Sequence, residues 1–310
     1  MKRRLLAPLL LLPLTLSAQS TPPSPDSAAQ ASWKKLLPQD APQGLRIRRL
    51  LVAAHPEHSV ELIVYIPDQP GIYPAILDIH GGGWNQRQIE LDRPMMERLA
   101  QRGFVTALVS YRLASEAHYP AALHDCKAAI RFLRAHAAAL QINPERIGLI
   151  GGSAGGHLAA LTALTSGKPE FEGPGPHSEA DSSVQACISM AATQDLIASN
   201  LEATNPKALA FFGFSCAENP DLYRAASPIT HIRPGVPPLL FIEGEKDTPR
   251  IGRPLAMEKL KAAGVETGLH TLPEAPHPFW MSDPWCSQTV EIATQFFAKH
   301  LGGVQPLIPD

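Results

Sequence analysis

Short apolar runs alternate with amphipathic segments along most of this chain. Five of the runs are nearly continuous in hydrophobicity, which is typical of strands covered on both faces of a sheet. They are "PAILDIH", "FVTALVSY", "RIGLIGG", "VQACISMAA" and "PPLLFIEG". Two earlier segments, "LRIRRLLVA" and "SVELIVYI", are predicted to form an opening antiparallel pair of strands.

Apolar positions at helical spacing predict helices between these strands. The predicted helices cover residues 94–102, 120–140, 154–166, 254–263 and 287–300. Alternation of strand and helix implies an α/β fold with a mostly parallel, doubly wound sheet and flanking helices. Ligands of such sheets bind at the carboxyl ends of the strands. Two stretches break the alternation: residues 167–183 are predicted to be a surface connection, and residues 199–227 a small inserted, lid-like segment.

The N-terminal segment differs in composition from the rest of the chain. "MKRR" is positively charged, "LLAPLLLLPLTL" is apolar, and "SAQS" provides small residues, a pattern that predicts a signal peptide. A membrane anchor is the alternative, but the apolar run is shorter than the roughly 20 residues that span a bilayer, and it contains prolines. We therefore expect a secreted or periplasmic protein with no stable membrane insertion after cleavage. The predicted organisation is a signal peptide at 1–18, a flexible Pro- and Ser-rich leader at 19–43, one folded domain at 44–302 and a tail at 303–310.

The charges of the chain are nearly balanced, with 27 Lys and Arg against 29 Asp and Glu in 310 residues. No run of five like charges occurs, so the sequence lacks the electrostatic pattern of a nucleic-acid-binding protein or of a protein that binds anionic membranes. A neutral or mixed substrate suits this composition better.

The four cysteines do not form a CxxC motif or a Cys/His cluster with zinc spacing, and we expect neither a metal nor another cofactor. Cys126 and Cys187 lie in a predicted helix and a predicted buried strand, which favours buried free thiols. Cys216 and Cys286 lie in loop-like contexts and form the more suitable pair should a disulfide be present.

The segment "GGSAGG" at residues 151–156 sets one hydroxyl among four glycines and an alanine. A predicted strand ends before Ser153 and a predicted helix begins after it, so the segment matches G-x-S-x-G in the strand–turn–helix context of a nucleophile elbow. Glycine tolerates the tight turn, and the start of the helix supplies N–H groups for an oxyanion. The alternatives are a glycine-rich turn with a capping serine or a phosphate-binding loop, but the Lys-Ser/Thr of a P-loop is absent.

Upstream, "HGGGW" at residues 80–84 ends an apolar strand, as an HGGG-type oxyanion loop does. "SYRLA" and "YPAALHDCKAAIRFLR" follow at residues 110–114 and 119–134. With these motifs in this order, residues 45–301 resemble serine esterases of the α/β-hydrolase fold, specifically the hormone-sensitive-lipase-like branch that includes bacterial acetyl-xylan and feruloyl esterases. The resemblance implies an oxyanion hole made by the N–H groups of Gly82, Gly83 and Ala154.

In this fold the catalytic acid and then the histidine follow the serine along the chain. Asp247 comes directly after the predicted strand "PPLLFIEG", where Glu243 and Glu245 compete with it, and the resemblance favours Asp247. His277 lies in a Pro-rich loop before the last predicted helix, where the fold places its general base. Further polar candidates near strand ends are Arg250, Arg253 and Asp195.

These residues predict a carboxylic ester hydrolase that works through an acyl-enzyme, with Ser153 as nucleophile, His277 as base and Asp247 as its orienting acid. The candidates to stack on a sugar or an aromatic acyl group are Trp84, Phe279 and Trp280, with core packing as the alternative. The resemblance and the expected export favour acetyl or feruloyl groups on plant polysaccharide as substrate. The alternatives are a short-chain lipid or xenobiotic esterase, an amidase that uses the same triad, and a non-catalytic hydrolase-like binding protein.

Overall fold

A computed structural model describes residues 41–199, 206–248 and 250–302 of the chain. The predicted signal peptide, nearly all of the predicted leader and the predicted tail lie outside the described residues. The described strands are β1 (Leu45–Ala54), β2 (Ser59–Pro67), β3 (Tyr73–Ile79), β4 (Val105–Val109), β5 (Ile142–Gly152), β6 (Ala186–Met190), β7 (Leu239–Gly244) and β8 (Thr267–Leu272).

These strands form one sheet in the order β1-β2-β4-β3-β5-β6-β7-β8. Strand β2 pairs antiparallel with both of its neighbours, whereas all other neighbouring strands are parallel. Strands β4 and β6 are buried at every position and β3 at all but its first, as the continuous apolar runs predict. The prediction of a mostly parallel, doubly wound α/β sheet is confirmed.

The helices are α1 (Arg93–Gln101), α2 (Ala121–Ala135), α3 (Ala154–Leu164), α4 (Pro169–Glu172), α5 (Pro206–Phe212), α6 (Pro220–Ala226), α7 (Arg253–Ala262) and α8 (Trp285–Leu301). Helix α2 ends at Ala135, not at Leu140 as predicted. The cause is a contact with another strand. Gln141 has a positive φ of 58°, and its carbonyl accepts the N–H of Tyr73 in β3 at 2.8 Å. The chain must therefore leave the helix before Gln141 to enter β5 beside β3. Among the described residues, no helix is long and apolar enough to cross a membrane.

The sheet separates two apolar layers. Helices α2, α3 and α7 cover one face, with Leu158 and Leu260 fully buried there, and helices α1 and α8 cover the other, where Leu99 and Phe297 are fully buried. Helix α3 is buried at all of its positions, which is typical of a helix enclosed between a sheet and other helices. Its N-terminus therefore lies at a fixed place above the carboxyl end of β5.

None of the four cysteines, all of which lie among the described residues, takes part in a disulfide. Cys126 and Cys187 are buried, as predicted, and Cys216 and Cys286 form no bridge. The loop-like context assigned to Cys286 was wrong, because this residue lies in the first turn of α8 and is only 2% exposed. Packing of its thiol in the core of the α8 layer explains why it is not available to a surface cysteine.

The connection at residues 167–183 contains the short helix α4 and is held to α2 by charge. Glu172 at the end of α4 accepts a hydrogen bond from Lys127 Nζ at 2.9 Å and another from Arg131 Nη1 at 3.1 Å. The Ser182 hydroxyl also donates to Glu172, at 2.8 Å. Burial lowers the pKa of Lys127 against the opposing effect of Glu172. One carboxylate thus compensates two cations whose side chains are 0% and 2% exposed.

Removal of this carboxylate tests its contribution to stability. Glu172→Ala is expected to lower the free energy of unfolding by about 3 kcal/mol, because it leaves two buried cations without their counter-charge. Chemical denaturation followed by circular dichroism measures the loss. Glu170→Ala, at an exposed position of the same helix, is the matched control and is expected to change the free energy by less than about 0.5 kcal/mol. Equal effects of the two variants would contradict the role of Glu172.

The inserted segment at residues 199–227 carries α5 and α6 and packs against the loop that follows β3. The ring of Phe211 in α5 stacks on Trp84 with a centroid distance of 4.9 Å. The Phe211 carbonyl accepts the Tyr119 N–H at 2.8 Å, and the Ala210 carbonyl lies 2.8 Å from His118 Nδ1. Helix α5 is therefore fixed beside the predicted oxyanion loop.

Candidate active site

Ser153 lies in the turn between the last residue of β5 and the first residue of α3. Its backbone has φ 57° and ψ −120°, a strained conformation for a residue with a side chain. The Ser153 N–H donates to the Met190 carbonyl at 2.9 Å, and the Ser153 carbonyl accepts the His157 N–H at 3.0 Å. The sheet and the helix together hold this conformation, so the hydroxyl is presented at the carboxyl edge of the sheet.

The glycines around Ser153 are required by close packing. A Cβ added to Gly155 would lie 1.7 Å from the carbonyl oxygen of Ile79, and one added to Gly151 would lie 2.5 Å from the carbonyl oxygen of Gly155. A Cβ on Gly152 would lie 2.2 Å from the indole of Trp280. All three distances are too short for a real contact, so the glycines allow β3, α3 and Trp280 to approach the serine.

The loop after β3 passes directly beside the serine. Gly82 and Gly83 have positive φ values of 104° and 60°, and a Cβ on Gly81 would lie 3.5 Å from Cβ of Ser153. The Tyr111 hydroxyl donates to the His80 carbonyl at 2.9 Å, and the two rings stack with centroids 4.4 Å apart. Burial lowers the pKa of His80 to about 4, so this imidazole is neutral at physiological pH.

Ala154, the third residue of the predicted oxyanion hole, is the first residue of α3. The first N–H groups of a helix have no acceptor within the helix, and they lie at the positive end of its dipole. Gly82 and Gly83 line the same pocket as Ser153. The structure thus brings the three predicted oxyanion residues to the two sides of the serine.

Asp247 and His277 form a hydrogen-bonded pair at the same edge of the sheet. Asp247 lies in the turn after β7, and His277 lies in the loop after β8; His277 Nδ1 is 2.8 Å from Asp247 Oδ2. The side chain of Asp247 is 5% exposed and that of His277 is 33% exposed. With the Nδ1 proton donated to Asp247, Nε2 of His277 is the nitrogen left to accept a proton.

Arg250 is a second partner of Asp247. Its guanidinium donates to Asp247 Oδ1, and its Nη2 atom lies 3.1 Å from His277 Nδ1. Since Nδ1 carries the proton given to Asp247, the two donors converge on the carboxylate and do not bond to each other. Burial by itself would raise the pKa of Asp247, but the hydrogen bonds from His277 and Arg250 outweigh it and lower that pKa to about 2. The carboxylate is therefore ionised at neutral pH.

The two competing carboxylates have other partners. Glu243 forms an ion pair with Arg253, with Oε1 at 2.6 Å from Nε. Glu245 accepts the backbone N–H of Glu274 at 2.9 Å. Of the three predicted acids, Asp247 is the one that contacts His277.

Ser153 and His277 line one pocket of about 330 Å³. Its polar lining residues include Gln86, Gln88 and Lys207, and its apolar lining residues are Pro278, Trp280 and Met281. Its size and mixed lining fit a small ester better than a long fatty acyl chain.

The three predicted stacking aromatics lie in different environments. Trp84 is 4% exposed, stacks on Phe211 and donates its Nε1–H to His157 Nδ1 at 3.3 Å. Phe279 is fully buried. Both rings pack in the core, as the alternative interpretation stated, and Trp280 is the member of the three that lines the pocket.

Sequence reasoning did not single out Gln86, Gln88 or Lys207. The two glutamines follow the "HGGGW" motif within four residues, so their nearness to the motif was an available signal. Lys207 had no such signal, because it comes from the inserted segment and reaches the pocket only through the packing of α5. Within the part of the chain that the structure describes, no group of three or more His, Cys, Asp or Glu side chains could hold a metal ion.

The BD-FAE family model matches residues 62–250, which include the glycine loop, Ser153 and Asp247. The chain belongs to the BD-FAE family. Esterase LipQ of Mycobacterium tuberculosis is 32% identical to this BD-FAE chain over 232 residues, which cover 72% of the chain and 54% of LipQ. The probable carboxylic ester hydrolase LipM of the same organism is 33% identical over 189 residues, which cover 58% of the chain and 43% of LipM. The chain thus spans about half the length of these curated relatives.

The same BD-FAE chain is similar to a solved structure, the thermophilic esterase Est2 of Thermogutta terrifontis with propionate bound. The TM-score is 0.69 at 29% identity, with 83% of this chain and 94% of Est2 covered. The predicted α/β-hydrolase fold is therefore confirmed, and the chain groups with esterases of that fold.

Proposed function

We propose that this protein is a serine carboxylic ester hydrolase. The observation that carries the proposal is the arrangement of three side chains: Ser153 and His277 line one pocket, and His277 Nδ1 is 2.8 Å from the ionised Asp247. A nucleophile, a base and an acid that holds the base are the set that acyl transfer to a serine requires. Similarity to LipQ, LipM and Est2 supports the same reaction class.

The proposed reaction begins when Oγ of Ser153 attacks the ester carbonyl carbon while Nε2 of His277 accepts the hydroxyl proton. The N–H groups of Gly82, Gly83 and Ala154 bind the oxyanion of the tetrahedral intermediate. Its collapse breaks the bond to the alcohol, which leaves with the proton from His277. Water then attacks the acyl-enzyme with the same proton transfers, and the carboxylic acid is released.

Asp247 assists both steps in this proposal. The carboxylate accepts the Nδ1 proton, which selects the tautomer with Nε2 free, and its negative charge stabilises the imidazolium that forms in each step. Arg250 keeps the same carboxylate ionised, which agrees with the lowered pKa of Asp247. The acid is thus ready to act at any pH at which His277 can serve as a base.

The pocket supports short acyl groups as substrate. Pro278, Trp280 and Met281 supply apolar contact, whereas Gln86, Gln88 and Lys207 add polar side chains to the lining. A long acyl chain would have to desolvate these polar groups without compensation. We therefore propose acetyl and propionyl esters as the preferred class, in line with the propionate held by Est2.

For the alcohol part, we propose an acetylated plant polysaccharide outside the cytoplasm. The amides of Gln86 and Gln88 can exchange hydrogen bonds with sugar hydroxyls. A feruloyl group has less support, because Trp84 and Phe279 are buried in the core. A short-chain lipid or xenobiotic ester fits the same pocket and is the second candidate. Export is part of the proposal, and N-terminal sequencing of the mature protein, expected to begin near residue 19, tests it.

Acetate release from acetylated xylan, measured beside p-nitrophenyl esters of increasing acyl length, tests the substrate proposal. We expect release from both acetyl substrates and a kcat/KM for p-nitrophenyl octanoate at least about tenfold below that for the acetate. Activity on small esters without acetate release from xylan would favour a short-chain lipid or xenobiotic ester as substrate over an acetylated polysaccharide. A rate that rises with acyl length would contradict the short-acyl proposal.

Covalent labelling separates the enzyme from a non-catalytic binding protein of the same fold. An organophosphonate is expected to modify Ser153, detected as a mass increase of the peptide that contains residues 147–166. A protein that is folded but neither labelled nor active on any ester would overturn the proposed function.

A further inference from the structure

Two carboxyl groups are buried beneath the candidate active site, on the face of the sheet covered by α1 and α8. Asp78 is the penultimate residue of β3 and lies in register between Leu108 of β4 and Ile150 of β5. Asp92 directly precedes α1. Both residues are 0% exposed. Neither belongs to the proposed triad or to the oxyanion hole, and burial of two acids among apolar residues requires a reason.

Asp92 holds the indole of Trp280. The Nε1–H of Trp280 donates to Asp92 Oδ1 at 2.9 Å, and Trp280 itself is 1% exposed. The other faces of this indole reach the active site: its centroid lies 5.3 Å from that of His277, edge to face at 84°, and Gly152 has no room for a Cβ against it. Trp280 therefore contacts both the proposed base and the residue before the proposed nucleophile.

Asp78 is the second acid of this buried pair. Both oxygens of Asp78 and Oδ2 of Asp92 have no hydrogen-bond partner among the described residues. Two carboxyl groups bond to each other only when one carries a proton. Burial, followed by the charge of Asp92, raises the pKa of Asp78 well above its usual value, while burial raises the pKa of Asp92 to about 7 against the opposing hydrogen bonds from Trp280 and Asp78. Both pKa values are thus raised, which disfavours two negative charges in this buried pair.

His277 needs support on the side away from its acid. Its hydrogen bond to Asp247 and its contact with Arg250 both involve Nδ1, and the ring lies in a loop, with a third of its side chain exposed. These contacts fix one edge of the imidazole but leave rotation about that edge open. The indole of Trp280, edge to face with the imidazole at 5.3 Å, packs against this ring and opposes that rotation.

We propose that Asp92 is a positioning residue for the esterase site: by holding the indole of Trp280, Asp92 sets the orientation of the His277 imidazole. The inference rests on the proposed function, since it concerns the same base. Asp92 touches no substrate, so its effect reaches the reaction through Trp280 and His277 alone.

Three variants test the proposal. Asp92→Leu removes the acceptor, Trp280→Phe removes the donor and keeps a ring, and Asp92→Asn keeps an acceptor oxygen for Trp280. With p-nitrophenyl acetate, we expect Asp92→Leu and Trp280→Phe each to lower kcat by about 10- to 100-fold with KM within about twofold, because a misplaced base slows chemistry more than binding. Asp92→Asn is expected to retain most of kcat. The double variant Asp92→Leu/Trp280→Phe is expected to be no slower than the slower single variant.

Thr106→Val is the matched control for a loss that is only structural. The Thr106 hydroxyl is fully buried on the same face of the sheet and donates to the Met96 carbonyl of α1 at 3.0 Å, away from Trp280. Its removal is expected to lower stability and leave kcat unchanged. If Asp92→Leu and Trp280→Phe also lose stability with kcat unchanged, the positioning role is wrong. Trp280→Phe and Asp92→Asn carry the test should Asp92→Leu fail to fold.

A second readout does not depend on turnover. The Nδ1 proton that His277 shares with Asp247 gives a far-downfield proton NMR signal, and we expect Trp280→Phe to shift or broaden it, whereas Thr106→Val leaves it in place. A signal unchanged in Trp280→Phe would overturn the inference even if the wild-type protein hydrolysed esters. A signal that responds as expected in a protein without esterase activity would instead reject the proposed function and keep the contact.

Discussion

Ser153→Ala is expected to lower kcat for p-nitrophenyl acetate by roughly a millionfold, leaving only the residual rate that oxyanion binding supports. The variant should fold normally, because the Ser153 side chain makes no hydrogen bond that caps α3, and alanine is no more strained than serine at this backbone position. Steady-state kinetics with a sensitive chromogenic ester, together with a thermal unfolding curve, measures both effects.

The control for this variant is Ser166→Ala, in the turn that follows α3. The Ser166 hydroxyl bonds only to the Thr162 carbonyl, at 3.3 Å, and does not line the pocket. We expect its kcat to match that of the wild type. Substantial activity in pure Ser153→Ala protein would remove Ser153 from the role of nucleophile, whatever the behaviour of the control.

Asp247→Asn is expected to lower kcat by about four orders of magnitude. The asparagine cannot hold the Nδ1 proton as a carboxylate does, and it leaves the Arg250 guanidinium 3.1 Å from His277 without a counter-charge, so the imidazolium of each transition state is destabilised. The measurement is kcat/KM over a range of pH. Glu243→Gln is the matched control, because Glu243 pairs with Arg253, and it is expected to keep full activity.

Asp247→Asn is also expected to change how the free energy of unfolding depends on pH. The pKa of Asp247 is lowered in the folded protein. The ionised carboxylate therefore adds to the free energy of unfolding at pH values above the unfolded-state pKa, and this contribution is lost as the pH falls toward 2. The free energies of unfolding of wild type and Asp247→Asn should therefore differ at neutral pH and converge in acid. A difference that persists at low pH would show that the asparagine acts through packing and not through charge. Loss of activity in Glu243→Gln but not in Asp247→Asn would reassign the acid.

The parts of the site that could be predicted are those encoded by local motifs. The glycine-rich turn around Ser153 and the "HGGG" loop are short segments whose geometry depends on their own residues. Chain order together with the family resemblance pointed to Asp247 and His277. The end of α2 could not be predicted in this way. The turn at Gln141 is set by its hydrogen bond to Tyr73, a residue of another strand.

The aromatic residues for which the sequence left two interpretations open have a type that suits two environments. An aromatic ring near a catalytic loop can line a pocket or fill a core, and only the packing of Phe211 against Trp84 decides between these outcomes. Asp78, by contrast, is a residue whose type does not suit its apolar surroundings. A carboxylate inside the apolar run "PAILDIH" was visible as an anomaly, yet its meaning depends on Asp92, which lies 14 residues further along the chain.

The stacking of Phe211 on Trp84 has a consequence for attempts to redesign this protein. Exchanging the inserted segment for one from a lipase is an obvious route to larger acyl groups. The predicted oxyanion loop, however, packs against that segment through the rings of Trp84 and Phe211, and Trp84 directly follows Gly83. A grafted segment without an aromatic residue at position 211 would remove the ring that stacks on Trp84. Such a graft is expected to lower kcat while it widens the range of esters that are hydrolysed. Evolution of this scaffold toward new esters is expected to proceed by changes around Phe211, with that ring retained.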